Sequence, residues 1–332
     1  MSETEPFISV VTPVYNTGEY LEQAIRSVLA QSHRNFEYVI CNNHSTDDSL
    51  EIARRFAAVD SRIRIVQPPT FLGQGDNFNF AIAQISRESQ YLKLLLADDW
   101  LYPQCLAELS ACAAADPSIG VVSSYRLNGT EGEGFGLPVE QTALSGREAC
   151  RLHLLNKMFL FGTPSTLLYR ADVARARSPR FYPADRIFFD TEAAFQILTE
   201  RNFGFVHQIL SFNRTQPGAI TDRLHRFNDR YMDRLITLHE YGPRFLGNDE
   251  FQKHFGRAER TFYEGLGRQW LKDRSGSPLP GFWEFQERGL STIGLKLQPK
   301  LLAKGVSAHI ARTLGSPFNL VRDVMQARRP ID

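Results

Sequence analysis

Two adjacent carboxylates, Asp98 and Asp99, follow a largely apolar run of strand length, Tyr91 to Ala97. A buried parallel strand reads as a near-continuous apolar run, and ligands of open α/β sheets lie beyond the carboxyl ends of such strands. Acids side by side repel each other unless a positive group neutralises them. A divalent cation held by oxygen ligands, with a phosphate on its far side, meets that need. The competing reading is helix capping ahead of Pro103, which needs one acid where this site has two.

The elements that must position this pair are readable upstream. Phe7 to Val14 is β-branched and apolar, the pattern of a buried strand. After a turn at Tyr15–Gly18, the residues Leu21, Ala24, Ile25, Val28 and Leu29 form one stripe of a helix. Phe36 to Cys41 predicts a second strand, and Ser45 with Asp48 predicts a capping box for a helix through Phe56. Ile63 to Val66 reads as a third strand, and Asp76 to Ile85, behind Gly73 and Gly75, as a helix. With the strand ending at Asp98-Asp99 the order is β-α-β-α-β-α-β, which argues for an α/β doubly wound, mostly parallel sheet.

Beyond Trp100 helices are expected at Pro103–Ala115, from a Ser145/Glu148 capping box to Leu155, and at Asp190–Thr199. Strands are expected at Val121–Tyr125, Ser165–Tyr169 and Phe203–Phe212, while the Gly- and Glu-rich stretch 127–140 reads as a mobile surface loop. From about Leu224 the chain turns to Arg- and aromatic-rich helical segments, broken by the cluster Ser275–Gly281. The expected organisation is a catalytic-type domain over 1–222 and a mostly helical C-terminal extension over 223–332.

Composition sets further bounds. The 332 residues suffice for one large domain or two modest ones. A net charge of +1 argues against a nucleic-acid partner. Cys41, Cys105, Cys112 and Cys150 show no CxxC or metal-ligand spacing, so free thiols in a reducing compartment are expected. Met1–Pro6 is acidic and polar, unlike a secretory signal, and no run approaches the roughly 18 apolar residues of a membrane span. A cytoplasmic protein, or one peripheral on the cytosolic face of a membrane, is the expectation. Lys296 to Asp332 carries seven Lys/Arg against two Asp, and Leu301, Leu302, Val306, Ile310 and Leu314 fall roughly on one side of a helix there. Such a basic amphipathic helix can lie on an anionic membrane surface, pack on its own domain, or meet a partner subunit such as a second copy in a homodimer.

Longer motifs are now recognisable. Ser9-Val10-Val11-Thr12-Pro13-Val14-Tyr15-Asn16, with Tyr20-Leu21 and Ala24 to Ser32, closely resembles the opening of the family 2 glycosyltransferases. The resemblance covers about residues 7–222. It implies the GT-A fold, a nucleotide-activated sugar donor and inversion at the anomeric centre. Asn42 to Ser49 is similar to the family's Asp-Asp-Gly-Ser-Thr-Asp turn, and Asp98-Asp99 to the end of its metal-binding Asp-x-Asp signature. Asp190-Thr191-Glu192 sits where the family has its catalytic-base acid, and Ser211–Thr221, with Arg214, resembles the segment that closes over the donor. The resemblance implies Asp98 and Asp99 at the metal, diphosphate and ribose, Asp190 as base with Glu192 in reserve, and Mg²⁺ or Mn²⁺ as the ion. Donor contacts are implied at Pro13, Tyr15, Asn42, Asn43 and Arg214, and Asp76 and Asn77 are candidates on the helix after Gly73.

The chemistry agrees. A sugar–nucleotide bond breaks with negative charge building on the leaving diphosphate, which a carboxylate-held cation absorbs. The acceptor hydroxyl needs a carboxylate within hydrogen-bond reach to take its proton. Three features depart from the family pattern: Asn42-Asn43 replaces the acids that read the base, Leu96 replaces the first Asp of Asp-x-Asp, and Gln216 stands where many members have His. The expected activity is sugar transfer to a hydroxyl of a glycan or lipid-linked acceptor, in cell-surface polysaccharide synthesis. The alternatives are a catalytically weak nucleotide-sugar-binding scaffold, and a sugar nucleotidyltransferase, whose Gly-rich basic loop is missing at Thr12–Thr17.

Overall fold

The β-branched stretches of the first hundred residues pair into a parallel sheet. The computed structural model describes residues 5–183, 188–215 and 226–314. It begins β1 (Ile8–Val14), α1 (Gly18–Leu29), β2 (Phe36–Asn42), α2 (Ser49–Ala57), β3 (Ile63–Val66), α3 (Gln74–Ile82) and β4 (Tyr91–Leu94). These strands lie in the order β3-β2-β1-β4, all parallel. The predicted stripe of α1 is its buried face, with Leu21, Ala24, Ile25 and Val28 at 0% exposure. Each large aliphatic side chain so buried contributes roughly 1.5–3 kcal/mol.

The order reverses between β1 and β4, and ligands of open α/β sheets bind at the carboxyl edge beside such a switch point. Next come β5 (Trp100–Leu101), α4 (Cys105–Ala115), β6 (Ile119–Asn128), β7 (Glu131–Glu133), β8 (Ala143–Leu144) and α5 (Gly146–Leu154). A 3₁₀ turn at Pro164–Thr166 leads into β9 (Leu168–Arg170), α6 (Ala171–Ala176), α7 (Phe189–Leu198) and β10 (Asn202–Asn213). Strand β9 lies antiparallel between β4 and β6, and β10 runs parallel beside β6.

Several expectations change. The strand of the acid pair stops at Leu94, and Asp98 and Asp99 lie on the turn beyond it, where Asp99 N–H donates to Leu96 O. The predicted Ser45/Asp48 capping box is absent: the Ser45 hydroxyl accepts from Asn16 N–H, and Asp48 makes no side-chain cap to α2. Asp47 accepts instead from both Gly18 N–H and Ser49 N–H, tying the starts of α1 and α2 together. The Ser145 cap is present, accepting from Glu148 N–H. The stretch 127–140 is no free loop: β6 runs on to Asn128 and folds back as β7, pairing Arg126 with Glu133.

The chain divides into two compact units, Met1–Gln216 and Pro217–Asp332. The second holds α8 (Asp229–Phe245), α9 (Asn248–Arg274), α10 (Phe282–Ser291) and α11 (Pro299–Leu314). Leu301, Leu302 and Val306, part of the apolar stripe for which a membrane surface, the protein's own domain and a partner subunit were the alternatives, are half-buried. Helix α11 meets α9 at paired glycines, where a Cβ on Gly305 would fall 2.0 Å from the Tyr263 carbonyl oxygen. Gly305→Ala is therefore expected to destabilise this helix pair by about 1–3 kcal/mol, read as a lower midpoint in urea denaturation. No described helix is long and apolar enough to cross a membrane.

Candidate functional site

The residues at the carboxyl edge of the sheet gather around Asp99. Leu95 N–H still donates to Val11 O, but Leu96 N–H turns to the Ser165 hydroxyl. The chain then reverses and drives Asp99 inward, leaving it 3% exposed. Its Oδ2 accepts from Ser165 Oγ at 2.5 Å and Asn213 Nδ2 at 2.7 Å, and its Oδ1 from Arg214 N–H at 2.9 Å. Burial, then the charge of Asp98, pushes the Asp99 carboxyl up to about 7, against the pull of these three donors. Asp99 is thus the fastener of the site, joining the 96–99 turn, the Pro164–Thr166 turn and the end of β10.

Asp98 is half-buried, and desolvation raises its carboxyl while Arg214 pulls it down. Arg214 is held over it: Nε donates to Asp98 O at 3.0 Å and Nη2 to Gln23 Oε1 at 2.8 Å. The guanidinium lies 4.4 Å from the Tyr20 ring centroid and 5.4 Å from that of Trp100. Arg214 and Asp98, read from separate motifs, therefore meet. The rest of the expected closing segment, Gln216 to Thr221, lies outside the described residues.

The other expected donor contacts divide. Tyr15 is 46% exposed and packs on Phe71, 56% exposed, with ring centroids 4.9 Å apart. Pro13 is buried within β1, opposite Cys41 of β2. Asn42 and Asn43 are buried and engaged: Asn42 Nδ2 donates to Gln67, and Asn43 both donates to Leu72 O and accepts from Leu72 N–H. These amides hold the 67–72 loop that carries Phe71. Asp76 is exposed on the first turn of α3, whereas Asn77 faces inward and accepts from the Cys41 thiol at 3.5 Å. Asn77 is thus a core contact.

Asp190 stands on the first turn of α7, half-buried. Desolvation pushes its carboxyl up to about 6, while Thr191 N–H and the positive charge of Arg126 pull it down. Glu192, the reserve acid, accepts from Gln196 Nε2 along the helix. Arg126 lies beside Gly162, Thr163 Oγ1 accepts from Asn213 Nδ2 at 2.8 Å, and Asn213 also donates to Asp99.

Several partners escaped the sequence reading: Lys93, Ser165, Asn213, Phe71 and the Arg126–Glu133 pair. Lys93 is fully buried in β4, donating to Ser165 O and Leu167 O, and burial lowers its proton affinity. The available signal was a charged residue inside an apolar strand pattern, at both Lys93 and Arg126, because such a residue is almost never fully buried without partners.

No group of three His, Cys, Asp or Glu that could enclose a metal occurs among the described residues. One half-buried carboxylate, Asp98, beside a second that is already hydrogen-bonded, fits a cation that brings most of its own ligands. Mg²⁺ is bound in that manner, by one or two carboxylates plus substrate phosphates and water.

A parallel β3-β2-β1-β4 half, an inserted antiparallel β9 and a site at the carboxyl edge make this a GT-A fold. S. aureus TarS 1–349 in complex with UDP is similar at a TM-score of 0.59 and 16% identity, covering 93% of this chain and 92% of that one. The mannosyltransferase PcManGT from Pyrobaculum calidifontis, in complex with GDP-Man and Mn²⁺, is similar at a TM-score of 0.56 and 15% identity, covering 98% and 85%. Residues 9–177 match Glycosyl transferase family 2, and the chain belongs to that family. The putative teichuronic acid biosynthesis glycosyltransferase TuaG of Bacillus subtilis (strain 168) is 33% identical over 99 residues, 30% of this chain. The match spans 38% of that relative's length.

Proposed function

We propose that the protein is an inverting glycosyltransferase that passes a sugar from a nucleoside-diphosphate donor to a hydroxyl of a glycan or lipid-linked acceptor. Cell-surface polysaccharide synthesis on the cytosolic side is the process it serves, in line with the teichuronic acid relative. The observation that carries this reading is the pairing of two acid environments in one unit: Asp98 under Arg214, and Asp190 with its proton affinity raised to about 6. Asp98 suits the diphosphate end of a donor, with Mg²⁺ or Mn²⁺ completing the contact. When bound, that ion supplies Lewis-acid charge to the leaving group. Arg214, steadied by Tyr20, Trp100 and Gln23, presents a guanidinium suited to phosphate oxygens. Asp190 takes the proton of the acceptor hydroxyl as that oxygen attacks. One displacement with one base inverts the anomeric centre.

The exposed Tyr15–Phe71 pair offers the nucleobase an aromatic face. Stacking of a base on such a ring is worth about 1–3 kcal/mol, so Tyr15→Ala or Phe71→Ala is expected to weaken nucleotide binding by about tenfold in calorimetric titration.

The reading is tested with a panel of nucleotide sugars scored by thermal shift, with and without Mn²⁺. A ligand at a hundred times its dissociation constant stabilises by about 2.7 kcal/mol. The ligand that shifts the melt is then offered with acceptors and the product's anomeric configuration read by NMR. Silence across the whole panel removes the proposal at its first step, and binding without turnover on any donor returns the scaffold reading.

A further inference from the structure

We propose that a row of basic side chains on one face of α9, Lys253, Arg257, Arg260 and Arg268, holds the protein against an anionic phospholipid surface. The choice of a lipid surface rests on the acceptor being lipid-linked, as in the function proposed above.

The whole-chain charge of +1 conceals an uneven split. Residues 1–216 carry 19 Lys/Arg against 24 Asp/Glu, whereas residues 217–332 carry 19 against 13. The first unit is therefore net negative and the helical unit net positive. Charge asymmetry between the parts of one chain points to an anionic partner for the basic part.

Helix α9 concentrates part of that charge. Its residues Ala258, Phe262, Leu266 and Gln269 are buried, and it packs against α8 and α11. Lys253, Arg257, Arg260 and Arg268 are all exposed. Their spacings lie near multiples of the helical repeat, so they share one side of α9 along about 22 Å. The acids on this side are already engaged. Glu264, between Arg260 and Arg268, pairs with Arg312 of α11. Glu250, on the first turn, accepts from Gly247 N–H. The four basic side chains have no ion pair among the described residues.

The charges are also crowded. Desolvation, then the charges of Arg234 on α8, Lys253 and Arg257, lower the proton affinity of half-buried His254, with Glu250 opposing them. Like charges one helical turn apart repel, and an outside anion relieves that repulsion. The side chains stand in a row and do not converge on one point, which matches spread negative charge and not a single phosphate. The apolar stripe of α11, the other candidate for a membrane contact, is half-buried, and Gly305 within it lies close against α9. A basic row beside an anionic leaflet gains about fivefold in affinity for each Lys or Arg near the surface.

The test is sedimentation of the full chain with vesicles of phosphatidylcholine or of phosphatidylglycerol, without donor or acceptor. Binding to phosphatidylglycerol alone is expected, weakening as NaCl is raised past about 0.15 M. K253Q/R257Q should weaken it by about 25-fold, and R260Q/R268Q repeats the test on the other half of the row. K300Q/K304Q removes the same charge from exposed positions on α11 and should weaken binding by no more than about fivefold. Absence of binding to phosphatidylglycerol vesicles overturns the proposal, and capture by soluble polyphosphate in its place would make the partner an anionic chain. Equal losses in K253Q/R257Q and K300Q/K304Q also overturn it, since net charge and not the α9 row would then govern binding. Vesicle binding is read without sugar transfer, so its failure leaves the transferase reading standing, and a silent donor panel leaves the vesicle result standing.

Discussion

Asp190→Asn is expected to lower sugar transfer by about 10²–10⁴-fold, the usual contribution of a positioned general base, with nucleotide binding unchanged. The asparagine keeps the shape of the side chain on the first turn of α7 but cannot accept the acceptor's proton. In the wild type, burial holds this carboxyl near 6, well above an ordinary aspartate. Transfer should therefore be full above about pH 7 and fall tenfold per unit below about pH 6, once the base is protonated.

The stability linkage runs the other way. Because the folded state binds this proton more tightly than the unfolded chain, the contribution is present below the unfolded value and lost as pH rises through about 6. At pH 8 the wild type carries a half-buried ionised acid that D190N lacks, so D190N should melt no lower than wild type there. Activity assays and melts at pH 5 and pH 8 check both signs. Wild-type transfer rates in D190N would move the base elsewhere, with Glu192 first in line.

Asp98→Asn is the second large effect. On the proposed assignment Asp98 would share a cation with the leaving diphosphate, and losing that carboxylate would remove several kcal/mol of charge stabilisation. At about 1.36 kcal/mol per tenfold, that is at least 10²-fold in turnover. The gain in melting temperature that Mn²⁺ adds to a bound nucleotide should vanish with it. Asp99→Asn separates the two acids. Both Asp99 oxygens accept from protein donors, Oδ2 from two of them. An amide NH₂ in place of either oxygen would face a donor, so D99N should lower the melting temperature while D98N leaves it nearly unchanged. Equal loss of metal response in both variants, with no loss of stability in D99N, would make Asp99 a direct ligand and contradict its role as fastener.

The legible part of the fold was its periodicity. The run FISVVTPV became β1, and the α1 stripe became the buried face of that helix, because period and apolarity act locally and neighbours cannot easily override them. The ordered motifs also brought Asp98 and Arg214 into one reading 116 residues apart, and the Arg214 Nε contact to the Asp98 carbonyl joins them in space. The capping box at Ser45 failed for a definable reason. A tertiary partner, Asn16, reached its hydroxyl first, and Asp47 took over the cap of the neighbouring helix α1. The 127–140 stretch misled because glycine and glutamate read as loop, while its decisive contact, Arg126 with Glu133, crosses a hairpin.

From the sequence alone came the strand and helix periods, the parallel β-α repeat, and the identities of the acids at the carboxyl edge. These depend on residues a few places apart. Only the tertiary structure decided the surroundings of each acid. Asp98 and Asp99 are neighbours of identical chemistry, yet Ser165, Asn213 and Arg214, 66 to 115 residues away, bury one and hydrogen-bond it while the other stays half-exposed. The same holds for Asn42 and Asn43, turned inward to hold the loop that carries Phe71, and for Asp190, raised by burial against the charge of Arg126. A side chain's charge state follows from its desolvation and the fixed charges around it, and both arise only when distant segments are packed together.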